Sequence, residues 1–222
     1  MKERPILFSG PMVRAILGGS KTQTRRAIKP QPEMLDSGDC RVRINRDWHT
    51  GPADYLTLDV MPRFACPYGQ PGDRLWVREA FSGPHCMERT DECPALPPGQ
   101  WPVESEIWYW ADGGPTHGDW TRPRPSIHMP RWASRITLEI TDVRVERLRD
   151  ISEEDAMAEG CDAPLYVADG LGNQVPPDRE TLSSAYPSSK HWFSCLWESI
   201  NGTDSWSANP WIWVVEFKRI EK

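Results

Sequence analysis

The stretch Gly19-Ser20-Lys21-Thr22-Gln23-Thr24-Arg25-Arg26 follows a predicted helix and leads into a predicted strand, and it decides the fold. Upstream, Pro11 suits a first helical turn, and apolar residues recur at helical spacing from Val13 to Leu17. Gly18-Gly19 is a helix stop signal. Residues 22–26 fit a strand whose polar side chains alternate at the surface, so the sequence predicts a helix-to-strand unit here.

Two downstream segments carry strand patterns. Leucine and valine alternate with polar and aromatic residues over Arg74–Glu79, which predicts a strand. Apolar residues alternate from Ile136 to Ile140, and the parity then flips to Val143 and Val145. A flip of this kind predicts a bulge near Thr141-Asp142, the device by which small barrels turn corners.

Three further segments complete the pattern. Ser152 begins a capping-box-like sequence, and Gly160 is expected to end the resulting short helix. Apolar residues at helical spacing between Trp192 and Ile200 predict a second, later helix. Residues 211–217 are apolar on both faces as far as Val215, which predicts an interior, closing strand.

Two long segments interrupt this pattern and are predicted to be insertions. Residues 27–70 and 82–131 are rich in proline, glycine and other turn signals, without sustained periodicity. One apolar island at 107–110 in the second segment is expected to form its own hairpin strand. The sequence therefore predicts a single α+β domain over residues 1–222, built as a small β-barrel with flanking helices and two long insertions.

Charge and composition restrict the classes of function. The net charge of −6 argues against a protein that coats duplex nucleic acid by charge alone. Residues 1–46 nevertheless hold ten Lys or Arg and four Asp or Glu, a net of +6, so the remainder carries −12. This basic quarter suits a local anionic ligand such as a phosphate, or a solvated face paired with acidic neighbours. Twelve tryptophans supply indole rings for stacking on a base.

Targeting signals are lacking in the sequence. No run approaches the eighteen apolar residues of a membrane span, and the charged start at Lys2–Arg4 is unlike a secretory signal. We therefore expect a cytoplasmic protein without a membrane partner. Its protein partners are not predicted from sequence.

The run from Gly19 to Arg25 resembles the G-x-K-T-x-T-x-R signature of the ASCH domains, a branch of the PUA-like superfamily, although here Arg25 and Arg26 directly follow Thr24. Residues 71–79 are similar to that family's G-D-x-L-x-V strand, 151–160 to its cleft helix, and 211–218 to its closing strand. The match covers about half of the chain. As a whole, the chain is similar to the larger, tryptophan-rich ASCH proteins of phages and prophages.

This resemblance implies a PUA-like barrel with a cleft for RNA or a modified nucleoside. One ASCH group hydrolyses the acyl amide of N4-acetylcytidine with a lysine, a threonine and a glutamate. The first two fall on Lys21 and Thr24, and the third falls on Glu159, with Glu153 or Glu154 as alternatives. The resemblance thus implies an amidohydrolase without a cofactor.

The chemistry of these residue types fits that reaction. Amide hydrolysis needs a nucleophile, a base and an acid, which Thr24, Lys21 and Glu159 can provide. Partial burial beside Arg25 or Arg26 would lower the pKa of the lysine, and the negative end of a short helix would disfavour the glutamate anion. For substrate binding we assign Arg25 or Arg26 to a phosphate.

A base is expected to stack on Trp76, with Arg78 on the same face of the strand. Ordinary structural roles compete with all these assignments, because a lysine after a helix stop often solvates the last carbonyls and threonine favours strands.

Three rival functions remain open from sequence. The first is a binder that recognises a modified base or an RNA end without chemistry. The second is a ribonuclease, as reported for some ASCH relatives, and the third is an assembly factor acting through the insertions. Fold analogy does not choose between them.

Metal binding is not expected from the cysteine and histidine spacing. Cys66, His85, Cys86 and Cys93 do not show the C-x₂₋₄-C pairs of zinc knuckles or ribbons. The chain is also neither small nor cysteine-dense, so its six cysteines are expected to be free thiols.

We therefore predict that all six cysteines react with a thiol reagent after unfolding, without prior reduction. Chelators should leave the melting temperature unchanged, because no metal-bound state contributes to folding. Thiol titration in denaturant and thermal unfolding with and without chelator measure both. A lower melting temperature with chelator would indicate that a metal ion binds to the chain and stabilises its fold.

Overall fold

The structure, a computed structural model, describes residues 1–44, 47–52, 66–84, 96–102, 105–161, 167–168, 174–175 and 188–220. These residues form a mixed α+β fold in which strands predominate. The helices are α1 (Gly10–Leu17), α2 (Glu153–Ala158) and α3 (Ser189–Asn201). The strands are β1 (Glu3–Leu7), β2 (Gln23–Ala27), β3 (Glu33–Met34), β4 (Asp39–Ile44), β5 (Asp47–Pro52), β6 (Arg74–Arg78), β7 (Phe81–Ser82), β8 (Trp108–Tyr109), β9 (Thr137–Arg147), β10 (Val167–Ala168), β11 (Gln174–Val175) and β12 (Trp211–Ile220).

The main sheet has five strands in the order β1-β6-β9-β12-β2. β1 runs parallel to β6, and the other neighbours are antiparallel. The predicted interior position of the last strand is confirmed, because β12 pairs with β9 on one side and β2 on the other. Ile212 and Val214 pack beneath α3, whereas Trp213 and Val215 belong to the main core. Burial on both faces explains the unbroken apolar run.

The predicted bulge in β9 is confirmed. Glu216 pairs with Asp142 and Phe217 with Ile140, so Thr141 is an extra residue on β9. An extra residue increases the local twist and bends the strand. The parity flip thus keeps apolar side chains in the core on both sides of the bend.

The sheet curls but does not close into a barrel within the described residues, which corrects the predicted closed form. Its edge strands, β1 and β2, share no backbone ladder. In a flat five-stranded sheet the two edges would lie about 19 Å apart. Yet Arg26 Nη2 donates a hydrogen bond of 2.8 Å to the carbonyl of Leu7, so the edges must approach each other. This contact joins a side chain of β2 to a main-chain carbonyl of β1.

The first predicted insertion contains regular structure. β3, β4 and β5 form an antiparallel sheet, and Cys40 and Val42 of β4 join the main core. The expectation that this segment lacks periodicity was wrong for β4, where buried residues alternate. β5 is exposed except at the half-buried Gly51, and its pairing with β4 makes it a strand.

The second predicted insertion has a small core of its own. A strand within the apolar island at 107–110 is confirmed as β8, but it pairs with β7, an earlier segment of the chain, and so does not form the expected hairpin of its own. Phe81, Trp101 and Met129 are buried together beside this pair.

Helix α2 ends in a tight approach to α1 and the start of β2. The Ser152 side chain caps α2 by accepting a hydrogen bond from the Asp155 amide, as the sequence predicts. Gly160 has φ of +86°, and a Cβ there would lie 2.9 Å from Ala15 Cβ and 3.0 Å from Lys21 Cβ. Glycine therefore fits this position for both conformation and space.

Among the described helices, none combines the length and apolar character that crossing a membrane requires.

Gly160→Ala should destabilise the protein by about 2–4 kcal/mol, from left-handed strain plus overpacking. Gly72→Ala is the matched control, because Gly72 has φ of +87° but an added Cβ would meet no described atom within 4 Å. It should cost only the strain, about 1 kcal/mol. Urea unfolding of both variants measures the difference, and equal losses would show that the close approach carries no energy.

Candidate functional site

Lys21 and Glu159 form a buried ion pair between the start of β2 and the end of α2. Their backbones form an isolated antiparallel bridge, and Thr22 N donates to the Ala158 carbonyl at 2.9 Å. Lys21 Nζ donates to the Glu159 carbonyl and to its Oε2, both at 2.8 Å. The lysine side chain has no exposed surface and the glutamate only 3%. This pair brings together two residues that lie 138 positions apart in sequence.

Arg25 is also fully buried and binds the other oxygen of the same carboxylate. Its Nη1 lies 3.2 Å from Glu159 Oε1, and its Nη2 lies 2.9 Å from Asp155 Oδ2 and 3.4 Å from Glu146 Oε2. Three carboxylates therefore surround one guanidinium group. Arg25 is thus committed to acidic partners.

The cluster extends to a second arginine and an amide. Arg144 pairs with Glu146, Asp155 and Glu216. Gln23 Nε2 donates to the Asp155 carbonyl at 2.6 Å and to its Oδ1 at 3.1 Å. The resulting ionic network consists of three cations and four anions: Lys21, Arg25, Arg144, Glu146, Asp155, Glu159 and Glu216. Lys21, Arg25 and Glu159 form the buried centre of this network, whereas its other four members are partly exposed. Opposite charges in close contact are what such a buried centre requires.

Burial lowers the pKa of Lys21, as the sequence analysis expected. The charge and hydrogen bond of Glu159 oppose this shift, whereas the charges of Arg26 and Arg25 add to it. Burial acts to raise the pKa of Asp155, but the Gln23 hydrogen bond and the Arg25 and Arg144 charges outweigh it, so that pKa is lowered. The network therefore favours an ionised Asp155, whereas burial, opposed by Glu159, favours the neutral form of Lys21 more than water does.

An open cleft lies beside this network, between β2, α1 and α3. It encloses about 410 Å³ including its mouth. Its lining residues are Met12, Thr24, Arg25, Arg26, Ala27, Glu159, Phe193, Leu196, Trp197, Ile200 and Asn201. We call it the first cleft.

Two of the three predicted catalytic residues line the first cleft. The Thr24 hydroxyl has no hydrogen-bond partner among the described residues. Lys21 lies behind Glu159 and does not line the cleft. Glu153 and Glu154, the alternatives to Glu159, are exposed on α2 and do not contact Lys21.

Arg26 differs from its neighbour in its partners. It donates to the Leu7 carbonyl and lies 5.5 Å from the centre of the Phe8 ring. No carboxylate among the described residues pairs with it. Of the two arginines predicted to hold a phosphate, Arg26 is therefore the one whose charge is available.

Trp76 and Arg78 do not line the first cleft. Arg78 covers the Trp76 ring at 4.7 Å, Arg131 lies 5.9 Å from it, and the indole is only 8% exposed. The aromatic rings in the first cleft are instead Phe193 and Trp197. Their helical spacing was visible in sequence, but that pattern indicates a core face and does not show that the face also borders a cleft.

The described residues contain no cluster of His, Cys, Asp and Glu that could hold a metal ion. Cys40, Cys66, Cys161 and Cys195 are free thiols, and burial raises the pKa of Cys66 to about 11. His85, Cys86 and Cys93 lie outside the described residues, so the absence of metal there stays a prediction.

Comparison with known proteins gives no relative: no family model, no curated protein and no solved structure matches this chain.

The buried pair should show strong energetic coupling. Lys21→Met or Glu159→Gln alone leaves a buried charge short of a partner, and each should cost about 3–5 kcal/mol. The double variant removes both charges. Its loss in free energy of unfolding should therefore be smaller than the sum of the two single losses by about 2–3 kcal/mol. Urea unfolding of all four proteins measures this coupling.

The control pair is Lys218 and Glu139 on the same sheet, whose side chains are 63% and 34% exposed. Its coupling should be below about 1 kcal/mol. Equal coupling energies in the two pairs would mean that burial does not strengthen the interaction between Lys21 and Glu159.

Proposed function

We propose that the first cleft binds a modified nucleoside, free or within RNA, and that the chain hydrolyses the N4-acyl amide of cytidine. In this proposal the curled sheet is a PUA-like barrel of the ASCH type, whose open side lies between β1 and β2. One observation carries the proposal: the buried Lys21 meets Glu159 beside Thr24, at a cleft lined by two aromatic rings. The sequence resemblance named these three residues for this reaction.

The proposed reaction proceeds through a covalent intermediate. Thr24 Oγ attacks the acyl carbonyl carbon, and its proton passes to the neutral amine of Lys21. Because Glu159 lines the cleft and contacts Lys21 Nζ, its carboxylate connects the buried amine with the reacting atoms. The C–N bond then breaks, the proton goes to the leaving amine of cytidine, and water hydrolyses the acyl-threonine ester.

Charge and aromatic surface support binding of a nucleoside in this cleft. Phe193 and Trp197 provide ring surface for a base. Arg26 places an uncompensated positive charge at the same cleft, where an oxyanion or phosphate would benefit from it.

A reader without chemistry is the second candidate, and it is favoured by the ion pair of Lys21 with Glu159 and by the absence of Lys21 from the lining of the first cleft. A lysine with no exposed surface and a carboxylate at 2.8 Å is held in its charged form by that partner. In this alternative the Lys21–Glu159 pair only fixes the wall of the cleft.

Substitution of Lys21 distinguishes the two candidates. In the hydrolase, Lys21→Arg should lower turnover of N4-acetylcytidine by about 10²- to 10⁴-fold, because arginine does not act as a base. Binding of the substrate should largely survive. Mass spectrometry of a panel of N4-acylated cytidines and modified RNAs follows the products, and the melting temperature checks folding.

Thr22→Val is the matched control, because Thr22 is the exposed neighbour of Thr24 and lies outside the lining of the cleft. It should retain activity, whereas Thr24→Val should lose it. Binding without turnover in the wild type selects the reader, and shortened RNA selects a nuclease. Near-normal turnover in a folded Lys21→Arg variant would rule out lysine as the base.

A further inference from the structure

A second cleft opens next to the first, between the end of β2 and the segment that joins α3 to β12. It encloses about 650 Å³ including its mouth. The polar and aromatic side chains that line it are Lys29, Gln31, Trp197, Asn201 and Ser205. The two clefts share Ala27, Trp197 and Asn201, so a ligand in one borders the other.

Two buried donors in this second cleft lack hydrogen-bond partners. Trp197 is only 4% exposed, and its Nε1–H has no partner among the described residues. The Ser205 hydroxyl is likewise buried and without a partner there. Trp132 and Trp211 also have unpartnered indole nitrogens, so one such group is not diagnostic. The distinguishing feature of Trp197 is that it lines a cleft together with a second unpartnered donor.

The third group is a cation. Lys29 is exposed at the same cleft, and none of the described carboxylates pairs with it. Gln31 contributes no free group, because its amide bonds the Ile28 carbonyl and both backbone groups of Trp211. The cleft thus has an exposed ammonium group at its surface and an unpartnered indole N–H and hydroxyl buried in its wall. Three donors with a positive charge suit an anionic oxygen ligand.

We propose that the second cleft is a phosphate subsite for the nucleotide whose base occupies the first cleft. This inference rests on the proposed function and narrows its substrate class from a nucleoside to a phosphate-bearing nucleotide or RNA. Trp197 then has two roles: its ring borders the base and its Nε1–H donates to a phosphate oxygen. Lys29 and Ser205 complete the subsite.

Binding of cytidine, its 5′- and 3′-monophosphates and a cytidine trinucleotide tests the subsite by calorimetry. Phosphorylated ligands should bind about tenfold or more tightly than cytidine, as expected from several charge-assisted hydrogen bonds. This gain should fall to less than about threefold in Lys29→Gln and in Ser205→Ala, which line only the second cleft, while cytidine affinity changes little. The gain should also fall in Trp197→Phe, measured against that variant's own affinity for cytidine. A gain with a monophosphate assigns the site to a terminal phosphate, and a gain only with the trinucleotide assigns it to the RNA backbone.

Matched controls isolate the subsite from general effects. Lys218→Gln removes a distant exposed charge, and Trp132→Phe removes an equally unpartnered indole N–H outside both clefts. Both should retain the full gain. In addition, the Trp197 indole proton, identified by its loss in Trp197→Phe, should shift in nuclear magnetic resonance spectra with the phosphorylated ligands and not with cytidine.

The outcomes separate this inference from the proposed function. Equal affinity for cytidine and its phosphates, or a gain that survives in the variants, overturns the subsite even if acylcytidine is hydrolysed. A variant-sensitive gain with a Trp197 shift supports the subsite even if no hydrolysis occurs. Absence of binding to every ligand overturns the subsite, and the proposed function fails with it only if N4-acetylcytidine is neither bound nor hydrolysed.

Discussion

The carboxylate of Glu159 is the group on which the arrangement of this site depends. One oxygen accepts from Lys21 and the other from Arg25, and both cations are completely buried. Neither cation could remain charged in the interior without such a partner, because removing an unpaired charge from water costs several kcal/mol. The pair therefore fixes the end of α2 against the start of β2. Gly160 permits this approach, since a side chain there would meet Ala15 and Lys21.

The curl of the sheet places this ionic network next to a cleft. Bending at Thr141 and the side-chain contact between Arg26 and Leu7 bring the two edge strands toward each other. β2 consequently presents different residues on its two sides. Arg25 and Gln23 contact the acidic groups of the network, while Arg26 remains without a carboxylate partner among the described residues. The same strand thus contributes both to stability and to the charge of the cleft.

Helix α3 both packs on the sheet and lines the first cleft. Phe193 and Trp197 pack on Ile212 and Val214 of β12, and they also line the first cleft. Trp197 continues into the second cleft, where its indole nitrogen has no partner among the described residues. Trp197 thus both stabilises the fold and borders two clefts. This position explains why apolar spacing alone does not distinguish a core face from the wall of a cleft.

The sequence by itself determined those features that depend on neighbouring residues. The helix from Gly10 to Leu17, the bulge near Thr141, the capped α2 and the interior strand β12 follow from local periodicity, capping and parity, and all were predictable. It also identified Lys21 and Thr24 through a short motif. The tertiary structure decided the contacts between distant segments: that Arg25 pairs with acids while Arg26 does not, that Glu159 rather than Glu153 reaches Lys21, and that Trp76 does not line the first cleft. The buried partners of Lys21 and Arg25 lie more than a hundred positions away in sequence, and local patterns contain no record of which distant charge completes a buried pair.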